Sequence, residues 1–146
     1  MIAIAYPDPD FRIQTKDGCK TIFDELRRKW VTLTPEEWVR QNFLQYLVRV
    51  KAYPPSLIAI EKEIRLGELT KRFDALVYDR NHQPWMLIEC KEMDTSLEQR
   101  TLDQLLRYHM TVPVPYLVIT NGAFCAGFAK VNGQLVELSE LPEFGT

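Results

Sequence analysis

The sequence predicts an α/β (α+β) fold, a mixed sheet flanked by helices. Three observations carry that prediction: a strong helix start at Thr34-Pro35-Glu36-Glu37, three extended segments after that helix, and a second amphipathic helix followed by two more strands. With 146 residues the chain is long enough to bury a core without disulfides, and 1–146 reads as one domain.

Residues 1–19 read as an arm or an edge strand ending at Asp17-Gly18. Thr21 to Trp30 fits either a short helix or an extended segment, and the basic Arg27-Arg28-Lys29 does not choose between them. The next element is unambiguous. Thr34 can cap a helix, Pro35 suits its first position, and Glu37 completes a capping box. Val39, Phe43, Tyr46, Leu47 and Val50 then recur at helical spacing to about Lys51, and Tyr53-Pro54-Pro55-Ser56 stops the run.

Leu57 to Leu66 should be a strand with Ile58, Ile60, Ile64 and Leu66 on one face and Glu61 and Glu63 on the other. Arg72 to Tyr78 and Trp85 to Lys91 flank the polar turn Asp79-Arg80-Asn81-His82-Gln83, the pattern of a hairpin. Leu97 to Met110 is helical, carrying Leu102, Leu105, Leu106 and Met110. Tyr116 to Ile119 and Phe124 to Val131 are strands joined at Thr120-Asn121-Gly122, and Leu135-Val136 adds a short edge. No internal repeat is visible.

Composition narrows the function. The longest apolar stretches are only a few residues, so no span of a bilayer is expected. Met1-Ile2-Ala3-Ile4-Ala5 lacks a basic lead and stops at Pro7-Asp8, a poor signal peptide. Cys19, Cys90 and Cys125 are isolated, which argues against a zinc site and a disulfide framework and for a cytoplasmic location. A net charge of −2 argues against non-specific nucleic-acid binding by the whole surface but not against a local site. The dispersed bases Arg40, Lys51, Lys62, Arg65, Lys71, Arg72, Arg100 and Arg107 are the candidates for phosphate contact.

The residues with the most chemical content are Asp74, Glu89 and Lys91. Asp74 stands among Phe73, Ala75, Leu76 and Val77, where a carboxylate needs a partner or a metal. A turn centred near Asn81 sets Asp74 roughly opposite Glu89, while alternation puts Lys91 on Glu89's face and Cys90, a small buried hydrophobe, on the other. Two carboxylates can hold a hard cation, and an amine beside them can orient a water. Glu-x-Lys alone is common by chance, and a buried ionic cluster is a competing use of the same three residues. Gln104 and Tyr108 share a helical face with Arg100 and either support this site or form a solvated edge. Glu37 divides between capping and site duty. His82 and His109 have no Ser or Cys arrangement suggesting a nucleophilic triad and read as structural.

At Asp74, Glu89-Cys90-Lys91 and Gln104-Leu105-Leu106-Arg107-Tyr108 the chain resembles the PD-(D/E)XK nuclease superfamily. More narrowly, it resembles the N-terminal nuclease domain of type I restriction enzyme R subunits. Thr34 to Gln41, Lys71 to Tyr78, Leu87 to Lys91 and Val114 to Gly122 carry that likeness over roughly residues 20–130. The resemblance implies a restriction-endonuclease-like core, with a four- or five-stranded mixed sheet between helices. It implies Mg²⁺-dependent hydrolysis of DNA phosphodiester bonds, with Mn²⁺ as substitute. Asp74 and Glu89 would be metal ligands and Lys91 the amine, Gln104 and Tyr108 would match the Gln-x-x-x-Tyr element, and Glu37 the first-helix acid. Phe73 stands where the motif's name has proline.

The implied partners are DNA and either a second copy, through Pro113-Val114-Pro115 or the Leu135-Val136 edge, or separate motor and specificity subunits. Neither a G-x-x-x-x-G-K-[ST] phosphate loop nor a dinucleotide fingerprint is present, so no motor is expected within the chain. The rival from another class is a non-catalytic nucleic-acid or protein-binding module that retains the nuclease fold.

Overall fold

A computed structural model describes residues 1–145. Three antiparallel strands, β1 (Ile13–Lys16), β2 (Cys19–Asp24) and β3 (Lys29–Thr32), form a sheet of their own ahead of the first helix, α1 (Pro35–Arg49). A single 3₁₀ turn, Pro55–Leu57, leads into β4 (Ile58–Leu66), β5 (Leu69–Tyr78) and β6 (Pro84–Cys90). Helix α2 (Gln99–His109) then crosses to β7 (Tyr116–Thr120), followed by β8 (Cys125–Val131) and β9 (Gln134–Leu138). Strands β4 to β9 form a six-stranded sheet in sequence order, antiparallel throughout except for the parallel β6–β7 pair. The sheet is therefore larger than the expected four or five strands, and a second sheet accompanies it. Among the described residues no helix is long and apolar enough to cross a membrane.

The arm expected over 1–19 is an irregular lead followed by β1. Ile2 N–H donates to the Cys125 carbonyl at 2.8 Å and its side chain is buried over β8. A Cβ on Gly127 would lie 2.7 Å from Ile2 Cδ1, so only glycine lets the lead lie that close. The Thr21 to Trp30 segment is extended, not helical. Arg28 turns the chain at φ 58°, and the buried Asp24 holds the bend, accepting from Leu26 N at 2.9 Å and Arg27 N at 3.0 Å. That local satisfaction of two amides competes successfully with a helix.

The large sheet carries one helix on each face. Val39, Phe43, Leu44 and Leu47 of α1 pack with Ala75, Val77, Met86, Ile88 and Cys90. Leu102 and Leu106 of α2 pack on the other side with Leu76, Leu87, Leu117 and Ile119. The C-terminal carbonyls of α2 are satisfied by lysines from the sheet: Lys71 Nζ donates to Tyr108 and Lys130 Nζ to Met110 and Val112. Cations at that end also suit the helix dipole.

One local departure decides where the site lies. Glu61 has φ 55°, and the β4–β5 ladder is interrupted there, between Ile60↔Ala75 and Lys62↔Phe73. Ile58 and Ile60 pack with the α1 layer, whereas Ile64 and Leu66 pack with the α2 layer. On the partner strand Ala75 faces α1 while Phe73 faces the α2 cluster. The expected single apolar face on β4 is thus wrong. A left-handed residue swaps the faces, and Asp74 sits at the crossover between layers.

Candidate active site at the β5–β6 hairpin

The hairpin behaves as its turn chemistry predicts. Asp79 Oδ1 accepts from Asn81 N at 2.8 Å and Gln83 N at 3.0 Å, while His82 takes φ 60°. The ladder pairs Ala75 with Ile88, so its next position sets Asp74 against Glu89. Cys90 points into the α1 core, where burial pushes its thiol pKa up and keeps it inert. Lys91 follows the strand end, and its backbone N–H donates to the Thr120 carbonyl at 2.8 Å, extending the parallel pairing.

Asp74 and Glu89 meet as a proton-sharing pair. The Asp74 pKa is raised to about 8, first by burial and then by the hydrogen bond and charge of Glu89. Burial would raise Glu89 too, but hydrogen bonds from His109 and Asp74 and the charges of His109 and Lys91 bring it below the ordinary value. The upward shift at Asp74 and the downward shift at Glu89 favour the proton on Asp74, facing the Glu89 carboxylate. Its Oδ2 accepts from Cys90 N at 2.7 Å and its Oδ1 from Arg40 Nη1 at 3.4 Å.

Arg40 is the centre of an ionic cluster that the sequence reading did not assemble. From the buried side of α1 it donates to Glu37 through Nε at 2.9 Å and Nη2 at 2.6 Å, and to Glu61 at 3.3 Å. Arg27, from the β2–β3 bend, donates to Asp24 at 2.5 Å and to Glu37 at 2.8 Å. The expected capping box is only half formed. Thr34 Oγ1 accepts from Glu37 N at 3.0 Å, but the Glu37 carboxylate turns to Arg27, Arg40 and Gln41. Burial raises its pKa, and the hydrogen bonds and charge of Arg40, with Gln41 and Arg27, outweigh that and hold it low.

Glu37 thus reaches Asp74 through Arg40 and touches neither Asp74 nor Glu89. Glu37→Gln is expected to destabilise the fold, because two guanidiniums lose their shared carboxylate, and a thermal melt against the wild type checks it.

His109, expected to be structural, lies against Glu89. Its ring is buried, with Nε2 3.3 Å from Glu89 Oε2, and Nδ1 has no hydrogen-bond partner among the described residues. The available signal was its place on the Leu102, Leu106, His109 stripe, which directs it at the sheet. Gln104 and Tyr108 lie elsewhere. Both are exposed, neither has a hydrogen bond to Asp74, Glu89 or Lys91, and Gln104 shares a surface groove with Arg100, Asp103 and Arg107. Lys91 forms no ion pair with either acid, so the expected alternative of a closed Asp74–Glu89–Lys91 cluster is not what the residues build. Lys91 contributes charge to Glu89 and leaves its amine unengaged among the described residues.

The carboxylates, not a preformed cage, are what a metal would meet. Among the described residues no three His, Cys, Asp or Glu side chains converge as one. The donor chemistry nevertheless suits Mg²⁺ or Mn²⁺, since Mg²⁺ is commonly held by one or two carboxylates with waters completing its shell.

Residues 35–142 match the family described as Type I restriction enzyme R protein N terminus. The matched stretch holds both helices, the whole six-stranded sheet and every residue of the hairpin site; the β1–β3 sheet lies outside it. No curated protein matches the chain.

Proposed function

The chain belongs to the type I restriction enzyme R protein N-terminus family, and from that we propose a metal-dependent endonuclease that hydrolyses DNA phosphodiester bonds at the β5–β6 hairpin. The observation that carries this reading is the half-buried Asp74–Glu89 pair, with Lys91 following on the same strand and its amine unengaged among the described residues. Asp74 and Glu89 would hold Mg²⁺ or Mn²⁺. When bound, the cation supplies a lowered pKa for its water and neutralises charge on the phosphoryl oxygens.

The chain's own residues do the rest. Cys90 N–H and Arg40 fix the two oxygens of Asp74, and His109 fixes Glu89, so the carboxylates need not reorganise as substrate arrives. Lys91 orients the attacking water and adds positive charge next to the phosphate. Gln104 and Tyr108 work from the exposed flank of α2, with Arg100 and Arg107, on phosphates away from the cut.

Because Asp74 must give up its proton to bind a cation, apparent Mn²⁺ affinity should climb as pH rises towards about 8. The slope should be at most about tenfold per pH unit for one proton released, with a plateau above that range. Calorimetric titration at several pH values measures it, and Asp74→Ala should remove both the binding and the slope.

A second reading has one observation in its favour: Arg40 already gives Asp74 a cationic partner. On that reading the chain is a non-catalytic nucleic-acid or protein-binding module with a nuclease fold. The same titration separates the two, since absence of Asp74-dependent Mg²⁺ or Mn²⁺ binding favours the module.

A further inference from the structure

Asp74 of the hairpin site lines a cleft whose far wall is strand β3 with Arg27 of the β2–β3 bend, in the part of the molecule outside the family match. Lys29, Trp30 and Thr32 line that wall, Thr34 and Glu37 the base of α1, and Glu61 and Asp74 the floor. We propose that this wall binds single-stranded DNA next to the hairpin, with Trp30 stacking on an unpaired base and Lys29 meeting the adjacent phosphate. The proposal rests on the nuclease reading and names its substrate class.

Trp30 is a large aromatic left 40% exposed in a cleft whose other lining residues, Val31 apart, are polar or charged. It is not loose. Phe23 meets it edge-on with centroids 5.4 Å apart, and the Arg12 guanidinium lies 4.0 Å from the Phe23 ring. An aromatic braced on one side and open on the other is a stacking platform, and every base offers a π-face to it.

The wall is also fixed relative to the floor. Arg27 joins Asp24 of β2 to Glu37 of α1, and Arg40 continues from Glu37 to Asp74. Those two guanidiniums are committed to carboxylates. The exposed Lys29 side chain has no hydrogen bond or ion pair among the described residues, so its charge is available to a phosphate. The cleft volume, about 570 Å³, is that of a small-ligand site. A space of that size accommodates a nucleotide or two.

The test is fluorescence anisotropy of short labelled oligonucleotides in EDTA, where no cutting occurs, with the full chain, Trp30→Ala and Trp30→Phe. Trp30→Ala should weaken single-strand binding by at least about fivefold, the lower end of one lost base stack. Trp30→Phe should recover most of the loss, duplex binding should change by less than about twofold, and circular dichroism should report intact folding. Equal single-strand affinity for wild type and Trp30→Ala overturns the proposal, as do equal losses on single strand and duplex or tighter binding of an RNA oligonucleotide than of DNA. Cutting with Mg²⁺ is scored separately. Trp30-dependent binding without any cleavage would keep the wall and remove the nuclease reading, whereas cleavage with Trp30-independent binding would do the reverse.

Discussion

Asp74→Asn is expected to cut DNA at least about 10²-fold more slowly than the wild type, the scale of losing one group that stabilises transition-state charge. The metal-free variant is expected to be the more stable protein. The folded-state pKa of Asp74 is raised, so its contribution to stability is fully present below the unfolded value near 4 and is lost as pH rises towards about 8. Between those limits the unfolded chain ionises while the folded one still holds the proton. Glu89, with a lowered pKa, runs the other way: its contribution is present above the ordinary glutamate value and disappears in acid, outside the Asp74 window. An asparagine amide keeps the hydrogen bond to Glu89 without a proton to lose. Asp74→Asn should therefore flatten stability between about pH 4 and 8 and exceed the wild type most at the upper end. Denaturant unfolding in EDTA across that range measures the gain. A variant less stable than wild type at pH 8 would mean that Asp74 is there to hold the fold. Stability given up at one carboxylate pair is common where function demands it.

Arg40→Met is expected to have the largest effect on stability, a loss of about 3–5 kcal/mol. Methionine fills much of the same space but leaves the buried Glu37 without its nearest cation and removes a partner from Glu61 and Asp74. Attraction between the charges does not explain the size of the loss. The loss of a bidentate cation from a buried carboxylate does: Glu37 keeps Arg27 on Oε1 and the Gln41 amide on Oε2, while Glu61 and Asp74 lose a cation at the same time. The penalty should shrink in acid as Glu37 takes a proton, and Arg40→Met/Glu37→Gln should recover part of it. A double-mutant cycle by chemical denaturation reads the coupling directly, and additive losses would show that the two groups act independently.

What the sequence revealed and what it hid divide along physical lines. The hairpin was legible because its turn is built from residues with local reasons to bend, and period-two alternation then fixes which side chains meet. Thr34 and Pro35 announced α1 for the same local reasons. The face swap on β4 was not legible, since Ile58, Ile60, Ile64 and Leu66 look like one unbroken stripe and only the left-handed Glu61 divides it. The β2–β3 bend was hidden by Arg27-Arg28-Lys29, a basic run with no periodicity, whose conformation is set by the buried Asp24. Arg40 and His109 were visible as residues but not as site members. Each enters through helix packing, Arg40 from α1 and His109 from the last turn of α2, and contacts across the two layers leave no spacing signature.

The most direct test of the central claim is an endonuclease assay of the purified chain on linear, supercoiled, single-stranded and branched DNA, with Mg²⁺ or Mn²⁺, beside Asp74→Ala and Lys91→Ala. The account predicts metal-dependent cutting by the wild type, strongest where single-stranded DNA is exposed, and no detectable cutting by either folded variant. Equal metal-dependent cleavage by wild type and both variants would contradict it.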